Sequence, residues 1–321
     1  MWMSSASRLR TRSLMGEELA VNGVVYRVGD PAPPPLPLRS EAEVMARWQG
    51  DKPIVSIRCA TYQHVGFIED ALRGFLGQDT DFPFEILIRD DASTDGTAEI
   101  VRDYAQRYPN IIRAVLETEN RYPEVKSGQV LGPMVRGEFI AMCEGDDYWI
   151  DAAKLATQRR ALVEDEHLVA SHHRCLVVSD GSITRLEKRR RRECRSFTPL
   201  QLGSGGRLIT STLLMRKVSI RPHPESQFIV NGDEYLRTEL GRFGGAVWQP
   251  DLLPSVYRRH EGGIWSGRTP VEQSFVQVQS FFWIGLRLRN DGRTREARRF
   301  LIRAALRAAL TARRLIFSKS R

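Results

Sequence analysis

Three carboxylates crowd one short stretch of this chain, FIAMCEGDDYWID. Glu144, Asp146 and Asp147 stand within four positions, directly behind the apolar run Phe139–Cys143 and in front of Tyr148 and Trp149. Gathering unpaired negative charge at the mouth of a buried strand costs several kcal/mol unless a cation or another counter-charge lies close by. The chemistry this suits is a divalent metal, which neutralises phosphate oxygens while keeping coordination sites open. A calcium loop of the EF-hand type does not fit, because its frame needs a third oxygen ligand where Tyr148 stands.

A second acidic group, DDASTDGT, spans Asp90–Thr97. It mimics the DxDxT form of a phosphatase nucleophile only superficially, since Ser93 occupies the place of the first carboxylate. Ser93–Thr97 reads instead as an Asx or Ser/Thr turn that caps the next helix, which leaves Asp91 for binding. Phosphates are commonly cradled on a glycine-rich turn at a helix N-terminus. No GxGxxG or GxxxxGK[ST] follows any apolar run, and GSGG at Gly203–Gly206 has no strand in front of it.

The elements that must position these groups follow from periodicity. Apolar runs predict strands at 54–59, 84–90, 111–117 and 139–143. Helical patterns separate and follow them at 65–76, 97–107, 128–135 and 151–165. Such alternation predicts βαβ units and a mostly parallel, Rossmann-like sheet flanked by helices. Ligands bind such sheets beyond the carboxyl ends of the strands, where Ala60-Thr61-Tyr62, Asp90–Thr97 and Glu144–Asp147 fall. Further on, apolar segments are expected at 168–178, 208–215 and 246–256 and a helix at 233–240. Two helices are expected at the end, 271–289 and 294–317.

With 321 residues, 36.6 kDa and 41% hydrophobic content, the chain can bury a sizeable core. Residues 1–50 are polar and then proline-rich (GDPAPPPLPL), which reads as an arm or linker. Cys59, Cys143, Cys175 and Cys194 form no CxxC pair, so neither a zinc site nor a disulfide framework is indicated and a reducing cytoplasm fits. The start has no apolar signal core, and Ser274–Leu286 is too short to span a bilayer. Of the net charge of +9, Arg185–Arg195 carries +5 and Arg287–Arg321 carries +10, so the remainder holds −6. A mildly acidic body with two basic segments argues for local attachment to something anionic and against one broad nucleic-acid face.

Taken in order, TYQHVGFIEDAL, DDASTDGT and CEGDDYWIDAAKLATQ resemble the family 2 glycosyltransferases of GT-A fold. ITSTLLMR, NGDEYL and YRRHEGGIWSG extend the resemblance more thinly toward a bacterial branch. It implies an inverting, metal-assisted enzyme that moves a sugar from a nucleotide-sugar donor to a hydroxyl acceptor such as a glycan or a lipid-linked precursor. Carried over by position, Thr61 and Tyr62 line the nucleobase, Asp91 accepts from the base or ribose, and Asp90 braces its turn. Glu144 to Asp146 match the family's DxD element with Glu in the first place. That longer side chain moves the expected metal, Mn²⁺ or Mg²⁺, onto Asp146 and Asp147 and leaves Glu144 a ribose or outer-shell role. Asp233 is the expected acceptor base, with Glu234 as the alternative. His260 is placed to bind metal or diphosphate, and Trp265 to act as a lid aromatic.

These expectations divide the chain into an arm (1–50), a GT-A domain (51–268) and a helical basic extension (269–321). Two rival functions are open: a sugar-nucleotide pyrophosphorylase, and a non-catalytic module binding an anionic surface. The pyrophosphorylase needs a glycine-rich basic loop after the first strand, where TYQHVGF stands. In the extension, Arg295, Arg299, Arg303 and Arg307 recur every four residues and predict a basic stripe on one helix side. Such a stripe, assisted by Arg189–Arg192, suits the anionic inner face of the membrane, which would make the protein cytoplasmic and peripheral.

Overall fold

A computed structural model of the chain describes residues 18–186, 195–220, 223–263, 265 and 267–317. The basic cluster Arg189–Arg192 lies outside the described residues. In chain order the elements are β1 (Glu18–Val21), β2 (Val24–Arg27), α1 (Glu41–Met45), β3 (Val55–Thr61), α2 (Ile68–Leu76), β4 (Phe84–Asp90) and α3 (Thr97–Arg107). Next come β5 (Ile112–Leu116), α4 (Ser127–Leu131), β6 (Phe139–Met142), α5 (Lys154–Glu164), β7 (Leu168–His172), β8 (Cys175–Ser179) and β9 (Ser182–Leu186). The last are α6 (Pro199–Gly203), β10 (Leu214–Arg216), α7 (Gly232–Leu240), β11 (Gly245–Trp248), β12 (Ser255–Arg258), α8 (Pro270–Asn290) and α9 (Thr294–Phe317).

Seven strands form the main sheet in the order β11-β7-β10-β6-β3-β4-β5. β6, β3, β4 and β5 run parallel, and β10 is inserted antiparallel between β6 and β7. All seven residues of β4 (FEILIRD) are buried, as a strand covered on both faces by helices requires. Phe75 and Leu72 of α2 and Val101 and Tyr104 of α3 pack with Ile57, Cys59, Ile86 and Ile88 of the sheet. Trp149 closes this core, its ring centroid 4.9 Å from that of Phe75 and its indole N–H donating to the Ser211 carbonyl at 2.6 Å. A three-stranded sheet, β12-β8-β9, stands beside the first.

Two helix boundaries differ from the periodicity. α2 begins at Ile68, not Val65, because the backbone N–H groups of His64 and Val65 donate to the side chains of Thr97 and Asp95. α4 stops at Leu131 and passes into a 3₁₀ turn, Gly132–Met134, at Pro133, whose ring cannot continue the helical ladder.

The described part of residues 1–50 departs from the expectation of a linker. Leu19, Val21 and Tyr26 of the β1-β2 hairpin are buried with Tyr148, Leu176, Ile183 and Val256. The prolines lay the chain along the domain: Tyr148 donates its hydroxyl to the Pro33 carbonyl and Tyr108 its hydroxyl to the Arg39 carbonyl at 2.6 Å. Ser40 and Glu43 form a capping box that starts α1, and Val44 enters the main core.

α8 and α9 form an antiparallel hairpin. Thr269 and Glu272 cap α8 reciprocally with Pro270 in its first turn, and Gly292, at φ +74°, turns the chain into α9. Gly285 lets the helices meet, since a Cβ there would stand 2.7 Å from Leu301 Cδ2. Ala297, Phe300, Ala304 and Thr311 are the buried side of α9. The expected four-arginine stripe is thereby divided: Arg295 and Arg299 are exposed, while Arg303 and Arg307 are half-buried.

Candidate active site

Past the end of β3 the chain stays close to the second acidic group. Gln63 takes a left-handed conformation (φ 57°) and its backbone N–H donates to Ser93 Oγ at 2.9 Å. His64 N–H donates to Thr97 Oγ1 and Val65 N–H to Asp95 Oδ2. The turn residues Ser93–Thr97 thus do two jobs: Asp95 accepts from the Thr97 N–H at the start of α3, whose N-cap is Gly96, and the turn holds the loop that carries His64. Asp90 braces that turn by accepting from the backbone N–H and hydroxyl of Ser93.

The EGDD stretch leaves β6 while still bonded to β3, with Gly145 N–H donating to the Ala60 carbonyl at 2.9 Å. Only glycine fits at 145, because a Cβ there would lie 2.7 Å from Thr61 Oγ1. Beyond it the chain pairs with β12: Tyr148 and Val256 exchange backbone hydrogen bonds, and Asp147 accepts from the Arg258 N–H at 2.9 Å. Arg258 then donates to the Asp146 carbonyl at 3.1 Å, pairs with Asp70, and lays its guanidinium over the Tyr148 ring at 4.3 Å. This lacing delivers His260, two residues beyond β12, to the strand end.

There His260 Nε2 stands 3.1 Å from Asp146 Oδ2 and His64 Nε2 3.8 Å from the same oxygen. The two imidazoles meet edge-on at 5.8 Å between centroids, and Phe67 backs His260 at 4.7 Å. One ligand atom from each of His64, Asp146 and His260 lies within 4.8 Å of the others. Among the described residues this is the group that could hold a metal ion. Thr61 Oγ1 lies 3.2 Å from His64 Nδ1; as acceptor for the Nδ1–H it leaves Nε2 turned to Asp146, the arrangement that orients a ligating imidazole. Two imidazoles and one carboxylate are a donor set suited to Mn²⁺ or another first-row divalent ion more than to Mg²⁺, which prefers oxygen.

The electrostatics divide the carboxylates. Burial works to raise Asp146, but the hydrogen bond with His260 and the nearby His64 imidazole hold it below the usual range. Burial, aided by the Asp146 charge, pushes Glu144 up to about 7, and Asp233 adds to this. Burial, with Asp146 and Glu144, also raises Asp147. Burial outweighs the neighbouring carboxylates at His64 and lowers it, which keeps its imidazole neutral and available as a ligand.

Of the residues singled out in the sequence, Asp146, His260 and Glu144 share this strand end. Asp147 is not in the cluster with the histidines; it is 2% exposed and fastens β12, so the group placed to hold a metal is Asp146 with His64 and His260, not the expected Asp146–Asp147 pair. Thr61 is buried beneath His64, where it supports that histidine and does not present a face to a base. Tyr62 is exposed beside it. Asp91 already accepts from Arg89 and from the backbone N–H groups of Arg121 and Tyr122, which leaves about one of its four acceptor sites. Asp233 opens α7, half-exposed, with Arg237 donating to it at 2.7 Å. Partial desolvation opposes, but the Arg237 charge and hydrogen bond bring its carboxyl below the usual range. Glu234 is held by both Arg237 and Arg303. Trp265 accepts from Gln273 through its carbonyl at 3.0 Å, at the foot of α8. His64 and Arg258 escaped the sequence reading. A histidine three positions after Thr61, at a strand's carboxyl end, was the available signal for the first; the second has none.

The sequence profile described as Glycosyl transferase family 2 matches residues 56–218, half of the chain. The chain belongs to glycosyl transferase family 2. It is 33% identical over 236 residues to uncharacterized protein Rv1520 of Mycobacterium tuberculosis, a match covering 70% of this chain and 64% of that relative. It is 30% identical over 138 residues to the putative teichuronic acid biosynthesis glycosyltransferase TuaG of Bacillus subtilis, over 43% of this chain and 52% of TuaG. Among solved structures it resembles residues 1–349 of Staphylococcus aureus TarS in complex with UDP-GlcNAc, with a TM-score of 0.57 and 19% identity over 79% of this chain and 72% of that one. A mannosyltransferase from Pyrobaculum calidifontis in complex with GDP-Man and Mn²⁺ aligns with a TM-score of 0.52 and 19% identity, over 90% of this chain and 83% of that one. The architecture is therefore the GT-A fold of the family, a mostly parallel sheet flanked by helices with two further helices at the C-terminal side.

Proposed function

We propose that this chain is an inverting glycosyltransferase that uses a nucleotide-sugar donor and a divalent metal, Mn²⁺ in preference to Mg²⁺. The observation that carries the reading is the convergence of His64, Asp146 and His260, from three separate loops, at the carboxyl end of the sheet. These residues would hold the ion, and when bound it supplies positive charge to the oxygens of a leaving diphosphate. Tyr62, exposed at the end of β3, offers a ring for the nucleobase, and the remaining acceptor capacity of Asp91 serves the base or ribose. Glu144, poised near neutrality between Asp146 and Asp233, is suited to a donor hydroxyl.

Asp233 is the acceptor base. Its half-exposed carboxylate takes the proton from an acceptor hydroxyl as the oxygen bonds to the anomeric carbon and the bond from that carbon to the diphosphate breaks. Glu234 is less suited to this, because two arginines occupy it. The acceptor is a glycan or lipid-linked hydroxyl, used at the inner face of the membrane. A pyrophosphorylase is disfavoured by the loop after β3, since Tyr62–Phe67 contains neither lysine nor arginine to hold a triphosphate.

The test is to incubate the protein with UDP- and GDP-sugars and either Mn²⁺ or Mg²⁺, and to follow release of the nucleoside diphosphate. Metal-dependent release with Mn²⁺ favoured is expected. Release of nucleoside triphosphate from added pyrophosphate, or no turnover with any donor, would overturn the reading, and a product of retained configuration would overturn its stereochemistry.

A further inference from the structure

The α8-α9 hairpin presents an outward face that no described residue covers. At 3.6 residues per turn, Arg295, Arg298, Ile302, Leu306, Leu310 and Arg313 of α9 fall within an arc of about 120°, opposite the buried side. Ile302 is 47% exposed, Leu306 61% and Leu310 53%. α8 adds Phe275 and Phe282, also exposed, and a shallow groove of about 660 Å³ is lined by Arg289 at the end of α8 and by Arg298, Leu301, Ile302 and Ala305 of α9. Large apolar side chains in such density are not ordinary surface.

Charge says what covers this face. The hairpin, residues 270–317, contains three acidic residues, Glu272, Asp291 and Glu296. All three are engaged: Glu272 in the cap of Thr269, Asp291 with Arg242 and Arg287, and Glu296 with Arg293. Arg289, Arg295, Arg298, Arg299 and Arg313 are exposed, and none has an acidic side chain in ion-pairing range among the described residues. A second copy of the chain would set arginines against arginines. A nucleic acid would satisfy the arginines and leave the aliphatic side chains in water. An anionic bilayer surface satisfies both, with guanidinium groups among the phosphates and apolar side chains entering the headgroup boundary. No helix among the described residues is long and apolar enough to cross a membrane, so the hairpin would lie in the plane.

We infer that the outer face of the α8-α9 hairpin docks this protein on an anionic membrane surface. The docking face joins two helices and excludes Arg303, which turns inward to Glu234 at 3.3 Å. The side of α9 opposite the lipid is thereby tied to α7, which carries the candidate base.

The full chain should co-sediment with vesicles of phosphatidylcholine and phosphatidylglycerol at low salt, but not with phosphatidylcholine alone. High salt should release most of it. The double variant Ile302→Glu/Leu306→Glu and the triple variant Arg295→Gln/Arg298→Gln/Arg299→Gln should each lose most of the bound fraction. Both change exposed positions, so an unshifted thermal melt is expected to accompany the loss. Unchanged sedimentation of both variants overturns the proposal, as does failure of the native chain to bind either vesicle. A dimer in analytical ultracentrifugation that the Ile302→Glu/Leu306→Glu variant abolishes, without vesicle binding, overturns it in favour of a second copy. Donor hydrolysis in solution is independent of all these outcomes.

Discussion

Arg303, on the inner side of the last helix, reaches Glu234 at 3.3 Å, and Glu234 shares Arg237 with the candidate base Asp233. Arg303 is packed between Phe281 and Phe300, at 4.1 and 5.0 Å from their ring centroids, so its charge is fixed in place. With Arg303 removed, Glu234 competes more strongly for Arg237, and Asp233 loses part of the contact that orients it. Arg303→Ala should lower kcat about tenfold, the equivalent of one charge-assisted hydrogen bond, with the donor KM little changed. Arg303→Lys should recover part of the loss. An equal change in KM, or none in either constant, would show the contact to be structural only.

The two adjacent aspartates should behave differently. Asp146→Asn removes the only carboxylate of the His64–Asp146–His260 group and is expected to abolish Mn²⁺ binding in calorimetry along with metal-supported turnover. Asp147→Asn keeps an acceptor for the Arg258 N–H and should retain Mn²⁺ affinity. Asp147→Ala leaves that N–H unpaired and should cost about 1–3 kcal/mol of stability. Loss of Mn²⁺ binding in Asp147→Asn would return the metal to the Asp146–Asp147 pair.

Asp233→Asn should preserve donor binding and lower the rate on the order of 10² to 10⁴-fold, the range for a positioned base. Isothermal titration with the unreactive nucleoside diphosphate separates the two quantities. If affinity and rate fall together, the base is Glu234.

Stability should rise with pH in the alkaline range because of Lys154. Burial brings its ammonium down to about 7; it donates to Gln158 at 2.7 Å and lies 4.1 Å over the Trp149 ring. Between pH 7 and the ordinary lysine range, near 10.5, the unfolded chain holds this proton and the folded chain does not. Unfolding free energy therefore increases with pH across that window and levels off above it. Lys154→Met should remove the rise. Parallel stability curves for the two proteins from pH 7 to 10, measured by urea unfolding, would exclude a neutral buried lysine.

The local pattern determined the alternation of strands and helices from Val55 to Glu164, because each element's periodicity is written in neighbouring residues. It also determined that Glu144–Asp147 needs a counter-charge, since crowding of carboxylates is visible without coordinates. Which partner answers each carboxylate was decided only by tertiary structure: His260 lies 114 residues from Asp146 and reaches it through the pairing of Tyr148 with Val256. The same holds for Arg303 and Arg307, which share a four-residue spacing with Arg295 and Arg299: Phe281 of α8 and Glu234 draw Arg303 away from the outer face, and Arg307 is half-buried. The proline-rich segment misled for a related reason. Its composition, with that of residues 1–50 around it, resembles a linker, but the flanking Leu19, Tyr26 and Val44 find buried partners whose positions the chain sets far downstream. Periodicity reports which side of an element is apolar, and only the assembled neighbours determine what meets it.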